Sequence, residues 1–164
     1  MDFNDYLLTI EKRLEKNFDT IRNYTINDYN INLFAKYNIR TERYILTKKT
    51  VIDAMENNEY CFIKFFENFD KYHLRTYTDF LIGIIDILVN PNKEHMSSTI
   101  TGVIVLENKP SSDIVNAIKN FKYHKGFAFG FKGWADIRLI LVTINDKYIV
   151  TNKKGKEVSK VYSI

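Results

Sequence analysis

The sequence predicts one α+β domain over residues 1–164, with a largely antiparallel sheet flanked by about three helices. The length of 164 residues is typical of a single domain with a buried core. Apolar residues recur with a period of two in most segments, as in strands, and with helical spacing in three others. The low content of 6 glycines and 2 prolines favours long regular elements.

The first half of the chain predicts one helix followed by an antiparallel meander. Apolar residues at three- and four-residue spacing predict a helix over about residues 3–23, and they are Phe3, Leu7, Ile10, Leu14, Phe18 and Ile21. Alternation from Tyr29 to Tyr37 then predicts a strand. Three more strands are predicted at residues 41–48, 49–55 and 60–66, with Asn57-Asn58 as a turn.

The second half predicts two helices and five strands. A helical stripe over residues 74–88 follows Asp70, a suitable N-cap, and Pro91 ends it. Residues 97–107 predict a strand, and residues 111–123 predict a helix with Ser111 as N-cap. Further strands are predicted at 126–134, 136–144, 147–152 and 158–164, with hairpin turns at Asn145-Asp146 and Lys154-Gly155. The predicted order is α-β-β-β-β-α-β-α-β-β-β-β.

Composition predicts a cytoplasmic protein without a membrane partner. The one cysteine, Cys61, excludes an intrachain disulfide and is typical of a reducing compartment. The first residues lack the basic and apolar regions of a signal peptide. The longest apolar run, residues 80–89, is too short for a membrane span and contains Asp86.

Positive charge is concentrated in the last third of the chain. Residues 107–164 contain 11 Lys and Arg against 5 Asp and Glu. Such asymmetry indicates either an anionic partner or a solvated basic face that keeps a hairpin edge soluble. The candidate phosphate contacts are Lys122, Lys125, Lys132, Arg138, Lys153, Lys154 and Lys156. Trp134 is the aromatic residue expected to be partly exposed beside them.

Glu107-Asn108-Lys109 offers an alternative, a metal-dependent nuclease of the PD-(D/E)xK type. In that hypothesis Glu107 and Asp86 bind a divalent metal, and Lys109 orients the attacking water. A chain this rich in lysine and carboxylates contains acidic-x-Lys triplets by chance, however. The helical period of residues 74–88 also places Asp86 on a helix. A solvated ion pair at a strand end is therefore the favoured interpretation.

The segment KGFAFGF, residues 125–131, partly fits the RNP1 pattern of RNA-recognition motifs. A strand here would place Phe127, Phe129 and Phe131 on one face, as base stacking requires. Gly130 and Lys132 depart from the pattern, and the preceding helix leaves no room for the strand that the motif needs. The sequence therefore favours three phenylalanines packed in the core.

No metal ligand set or cofactor motif is predicted. His73, His95 and His124 lack ligand spacing with one another or with Cys61, which disfavours a zinc site. Neither a Walker A loop nor a GxGxxG motif occurs, which disfavours the usual nucleotide sites.

Three segments together resemble an uncharacterised archaeal domain family: HMSSTITGVIV (95–105), FKYHKGFAFGFKGWADIRLILV (121–142) and VTNKKGKEVSKVY (150–162). The resemblance covers roughly residues 85–162. It implies a single-domain archaeal cytosolic protein without an assigned activity, and so it offers no catalytic or binding residues.

We therefore expect a non-catalytic cytosolic binding domain whose basic C-terminal part contacts an anionic partner such as nucleic acid. The alternatives are the nuclease that uses Asp86, Glu107 and Lys109, and a protein-interaction module or homodimer.

Overall fold

A computed structural model describes residues 1–44 and 51–164, with side chains described outside residues 41–54. These residues form one seven-stranded sheet and four α-helices. The strands are β1 (Asp19–Ile26), β2 (Tyr29–Tyr44), β3 (Val51–Phe65), β4 (His95–Leu106), β5 (His124–Gly126), β6 (Trp134–Thr143) and β7 (Tyr148–Thr151). The helices are α1 (Phe3–Leu14), α2 (Lys71–Leu88), α3 (Ser112–Asn120) and α4 (Ser159–Tyr162), and 3-10 turns cover Ala128–Gly130 and Lys154–Glu157.

The sheet is mixed but mostly antiparallel, which confirms the predicted α+β class. Strands β1, β2 and β3 form an antiparallel meander. The crossovers through α2 and α3 then make β4 parallel to β3, and β6 parallel to β4. Strands β5 and β7 both pair antiparallel with β6, at residues 134–136 and 140–143 respectively. Since β4 occupies the other side of β6, β5 and β7 lie along the same side of that strand.

Helices cover both faces of the sheet, so the core has two halves. On one face, Tyr77 and Leu81 of α2 pack in a cluster with Phe62 and Ile104. Gly102 permits this approach, because a Cβ there would lie 2.3 Å from Leu81 Cδ1. On the other face, α1 and α4 pack against the remaining inward side chains, including Tyr6, Ile10, Ile63, Val103 and Tyr162.

The second helix forms as predicted. Asp70 is its N-cap, and its carboxylate accepts a hydrogen bond of 2.9 Å from the backbone N–H of His73. That bond is the main reason why the pKa of Asp70 is lowered. Ser111 occupies the N-cap position of α3 without a side-chain cap bond. No helix in residues 1–44 or 51–164 is long and apolar enough to cross a membrane.

The predicted helix over residues 3–23 is too long. It ends at Leu14, and the segment that contains Ile21 is strand β1. This strand lies at the edge of the sheet and contains no fully buried residue, so no clear alternation marks it. The helical spacing of Phe18 and Ile21 is a coincidence, since the Ile21 side chain is exposed.

Of the four strands predicted between residues 29 and 66, those at 29–37 and 60–66 are confirmed, as the start of β2 and the end of β3; both observed strands are longer than predicted. Asn57 and Asn58 do not form a turn, because they lie inside β3 and pair with Ile39 and Asn38 of β2. Sheet pairing on both sides of β3 overrides their turn propensity. The predicted strands 41–48 and 49–55 include residues 45–50, which lie outside the described residues.

Two predicted C-terminal strands are wrong. The segment 126–134 contains the end of β5, a 3-10 turn and the start of β6. The segment 158–164 contains helix α4, because Val158, Val161 and Tyr162 pack at helical spacing against the α1 side of the core. Lys154-Gly155 therefore belongs to a 3-10 turn rather than to a hairpin.

Candidate anion-binding site

Arg138 is a structural residue rather than a surface cation. Its side chain is 11% exposed and lies between two carboxylates. Its Nη1 donates to Glu59 at 3.0 Å, and its Nη2 donates to Glu157 at 3.1 Å. The structure therefore places this predicted phosphate contact in an ion-paired bridge between β3, β6 and the turn after β7.

Two of the predicted lysines are also ion-paired. Lys125 lies 2.6 Å from Asp86 on α2, and this hydrogen bond raises the pKa of Lys125. Lys154 lies 3.4 Å from Asp136 on β6. The other four lysines, which take part in no ion pair between described residues, are exposed: Lys122, Lys132, Lys153 and Lys156.

Three of these four lysines line two adjoining clefts. The first, which we call the histidine cleft, has a volume of about 240 Å³. It is formed where the chain enters β5 and leaves β7, and its lining residues are Phe121, Lys122, Tyr123, His124, Asp136, Ile137, Asn152, Lys153 and Lys154. Lysine side chains therefore border it from two directions.

His124 and Asp136 form a hydrogen-bonded pair in the histidine cleft. The imidazole Nδ1 donates to the Asp136 carboxylate at 2.8 Å, across the β5–β6 ladder. The Asp136 side chain is 9% exposed, whereas that of His124 is 63% exposed. Because the buried carboxylate holds Nδ1, the remaining ring nitrogen Nε2 is left for water or a ligand.

The second cleft, which we call the lysine groove, has a volume of about 730 Å³, and all four residues of β7 line it. Lys119 from the end of α3 and Lys156 from the turn after β7 border it, and its lining contains no carboxylate among the residues with described side chains. Lys153 lines both clefts. The two clefts adjoin at Lys153, and their described lining residues together have an excess of positive charge, which suits an anionic ligand.

Asn152 joins the elements that carry this surface. Strand β6 pairs with β5 near its start and with β7 near its end. At the stretch between these two ladders, the Asn152 side chain bonds the β6 backbone as a neighbouring strand would. Its Oδ1 accepts from the Leu139 N–H at 3.0 Å, and its Nδ2 donates to the Ile137 carbonyl at 3.0 Å. The same Oδ1 accepts from Gly155 N–H at 2.8 Å, which positions the turn that follows Lys153. Sequence reasoning missed this residue, since one asparagine after a strand carries no distinguishing signal.

The loop between β5 and β6, residues 127–133, displays two phenylalanines to solvent; we call it the aromatic loop. Phe129 has a relative exposure of 103% and Phe131 one of 88%. The predicted core packing of all three phenylalanines is therefore wrong, and only Phe127 is half-buried against the core. Lys132 lies exposed in this loop, and the partly exposed Trp134 follows it at the start of β6.

The aromatic loop is anchored to the start of β4. The buried His95 ring donates through Nδ1 to the Lys132 carbonyl at 2.6 Å, and its Nε2 accepts from the Ser98 hydroxyl at 2.9 Å. Gly133 lies so close to this strand that a Cβ would meet the Met96 carbonyl oxygen at 2.4 Å. His95 and Ser98 are thus buried, and the hydrogen bonds of His95 anchor the loop to β4.

The three residues of the nuclease hypothesis are not brought together. Asp86 is hydrogen-bonded to Lys125 on β5. Lys125 pairs with Ala135 of β6, and Ala135 pairs with Ser98 near the start of β4, so Asp86 lies toward that end of the sheet. Glu107 follows the far end of β4, roughly 30 Å away along the strand. Lys109 lies with its Nζ 4.3 Å from the ring centre of Tyr148. Among the residues that the structure describes, no group of three or more His, Cys, Asp or Glu is placed to hold a metal ion.

The comparisons with known proteins identify a family but no function. A family model described as "Domain of unknown function (DUF8052)" matches residues 2–164. No curated protein and no solved structure matches the chain.

Proposed function

We propose that this chain, which belongs to the DUF8052 family, is a non-catalytic binding domain whose basic C-terminal third contacts the phosphates of a nucleic acid. One observation carries the proposal. The histidine cleft and the lysine groove adjoin at Lys153, and their described lining residues include five lysines against one carboxylate, that of Asp136.

Concave placement favours phosphate contact over a role in solubility. Lysines that only keep a surface soluble need no common direction and are usually interspersed with carboxylates. Here Lys119, Lys153 and Lys156 line one groove, and none of the other described residues in its lining is acidic. An ammonium group binds phosphate as a point charge, so the contact gives affinity without base specificity. The proposed ligand is therefore a polyanionic backbone rather than a particular sequence.

The salt dependence of binding tests the proposal. Fluorescence anisotropy with labelled DNA and RNA at several salt concentrations gives the slope of log affinity against log salt. If both lysines contact phosphate, Lys153→Ala combined with Lys156→Ala lowers that slope by about 1.4–1.8. Lys16→Ala combined with Lys36→Ala removes the same charge near the β1–β2 edge of the sheet and serves as the control.

Two results would count against the proposal. Equal losses of affinity in the two double variants would indicate a general charge effect rather than a site at the lysine groove. Cleavage of the nucleic acid in Mn²⁺ but not in EDTA would contradict a non-catalytic role. Loss of that cleavage in Glu107→Ala would restore the nuclease hypothesis.

A further inference from the structure

The aromatic loop exposes apolar surface in a way that a globular domain ordinarily avoids. Phenylalanine is among the residues most often buried, yet Phe129 and Phe131 are almost fully exposed. Two residues away along the loop, Phe127 does pack against the core. One short segment therefore presents to solvent two rings that are two residues apart in sequence, and this exposure needs an explanation.

The backbone holds this arrangement in place. Within the loop, the N–H of Gly130 and the N–H of Lys132 both donate to the Phe127 carbonyl, at 3.0 and 3.1 Å. Ala128 and Phe129 adopt positive φ angles of 48° and 56°, a left-handed conformation that is unfavourable for residues other than glycine. The fold therefore maintains a strained backbone at the residues that display the rings, and the anchor at His95 fixes the loop to β4.

The loop lies next to the proposed phosphate surface. It begins directly after the Gly126–Trp134 pair that ends the β5–β6 ladder. Two residues back along β5, His124 pairs with Asp136 in the histidine cleft. At the rise of a strand, this pair lies about 7 Å from the base of the loop. Lys132 adds a positive charge within the loop itself.

We propose that Phe129 and Phe131 are stacking platforms for the bases of a single-stranded nucleic acid whose backbone lies in the adjoining clefts. This inference rests on the proposed function and specifies its ligand. Exposed aromatic rings beside a cationic groove are the combination that binds single strands, because every base has a face that can stack. A duplex keeps its bases stacked on each other and cannot use the rings in this way.

Charge and shape favour a single strand over a lipid surface. The neighbouring lysines line concave clefts, which a flexible polyanion can enter and a flat bilayer cannot. The loop is a short turn with Gly130 between the two rings and Lys132 beside them, so it does not form the amphipathic helix that lies in a bilayer interface.

The test compares single-stranded and duplex ligands of equal length. Fluorescence anisotropy with labelled oligo-dT and with a duplex is measured for Phe129→Ala combined with Phe131→Ala. We expect single-strand affinity to fall at least ten-fold, with little change for the duplex. Phe129→Leu combined with Phe131→Leu keeps apolar side chains without aromatic planes and should lose affinity similarly. Tyr72→Ala removes another exposed ring, on α2, and should have no effect. Unfolding followed by Trp134 fluorescence checks that the variants remain folded.

Several outcomes would overturn the inference. Unchanged single-strand affinity in the alanine double variant would refute stacking, and the phosphate proposal would stand if the Lys153 and Lys156 variant still weakened binding. Equal losses for single strand and duplex would also refute it. The loop would be assigned to a lipid surface by two results together. The leucine variant would keep wild-type affinity for the single strand, and the alanine variant would lose binding to phosphatidylserine vesicles. If the wild-type protein bound no nucleic acid, both proposals would fail together.

Discussion

The hydroxyl of Tyr6 donates a hydrogen bond of 2.8 Å to the backbone carbonyl oxygen of Tyr162. Both side chains are buried, one in α1 and the other in α4. The Tyr162 hydroxyl in turn lies 3.2 Å from the Cys61 sulfur on β3. The three side chains thus join two helices that are far apart in the chain to one strand of the sheet.

Tyr6→Phe should therefore destabilise the protein. The substitution keeps the ring but leaves the Tyr162 carbonyl without this donor, which should cost about 1–3 kcal/mol in the free energy of unfolding. Urea unfolding followed by Trp134 fluorescence measures the effect. Tyr72→Phe, at an exposed position on α2, is the matched control and should leave the midpoint unchanged. Equal midpoints for all three proteins would show that the buried bond contributes nothing.

Stability should decline at alkaline pH. Burial raises the pKa of Cys61 to about 12 and raises the pKa values of Tyr77 and Tyr162 well above their usual value. In the unfolded chain these groups lose their protons from about pH 8.5 for the thiol and about pH 10 for the phenols. The folded state then binds more protons than the unfolded state, so the free energy of unfolding decreases as pH rises. The full contribution is present below about pH 8.5. Urea unfolding at several pH values between 7 and 11 measures this decrease. A free energy of unfolding that stays constant over that range would contradict the prediction.

Cys61 should be unreactive in the folded protein. Its relative exposure is 1%, and the thiolate that reacts with disulfide reagents is suppressed by the raised pKa. We expect negligible labelling by an aromatic disulfide reagent at pH 8, followed by labelling of one thiol per chain after unfolding in urea. A Cys61→Ser, Lys132→Cys variant provides an exposed thiol as the positive control. Rapid labelling of the folded wild type would mean that β3 opens locally.

Asn152→Ala should both destabilise the protein and weaken anion binding. It leaves the Leu139 N–H and the Ile137 carbonyl without their side-chain partners in a buried position, at a cost of about 3 kcal/mol. It also releases the Gly155 N–H, so the turn beside Lys153 loses its support. Asn145→Ala, at an exposed turn, should change stability by less than about 0.5 kcal/mol. Unchanged stability in Asn152→Ala would show that water replaces the amide.

The elements that were predicted correctly are those with a strong apolar period and a clear cap. Helix α2 has both, from Asp70 to the stripe that contains Tyr77 and Leu81. The predicted helix extends beyond α1 because the edge strand β1, which buries little, continues the helical spacing by coincidence. The local sequence predicts a turn at Asn57 and Asn58, because it contains no sign of the neighbouring strands that pair with these residues on both sides.

The candidate site was only partly visible in the sequence. The excess of lysines was evident, but their grouping depends on β5 and β7 lying on the same side of β6, which brings Lys122 and Lys153 into one cleft. The exposure of Phe129 was unpredictable, since it depends on left-handed backbone angles at residues that seldom adopt them. The ion pairing of Arg138 likewise requires carboxylates from distant segments.

The central position of β4 has a consequence for how fast this chain folds. Its two neighbours, β3 and β6, are parallel to it, and each pairs with it across about 40 residues of sequence. The chain must lose the entropy of closing both crossovers before either ladder contributes, whereas in the meander β1 pairs with β2 and β2 with β3, each with the strand that comes next in the sequence. We therefore expect folding in milliseconds to seconds, with the meander forming early and the insertion of β4 between its parallel partners limiting the rate.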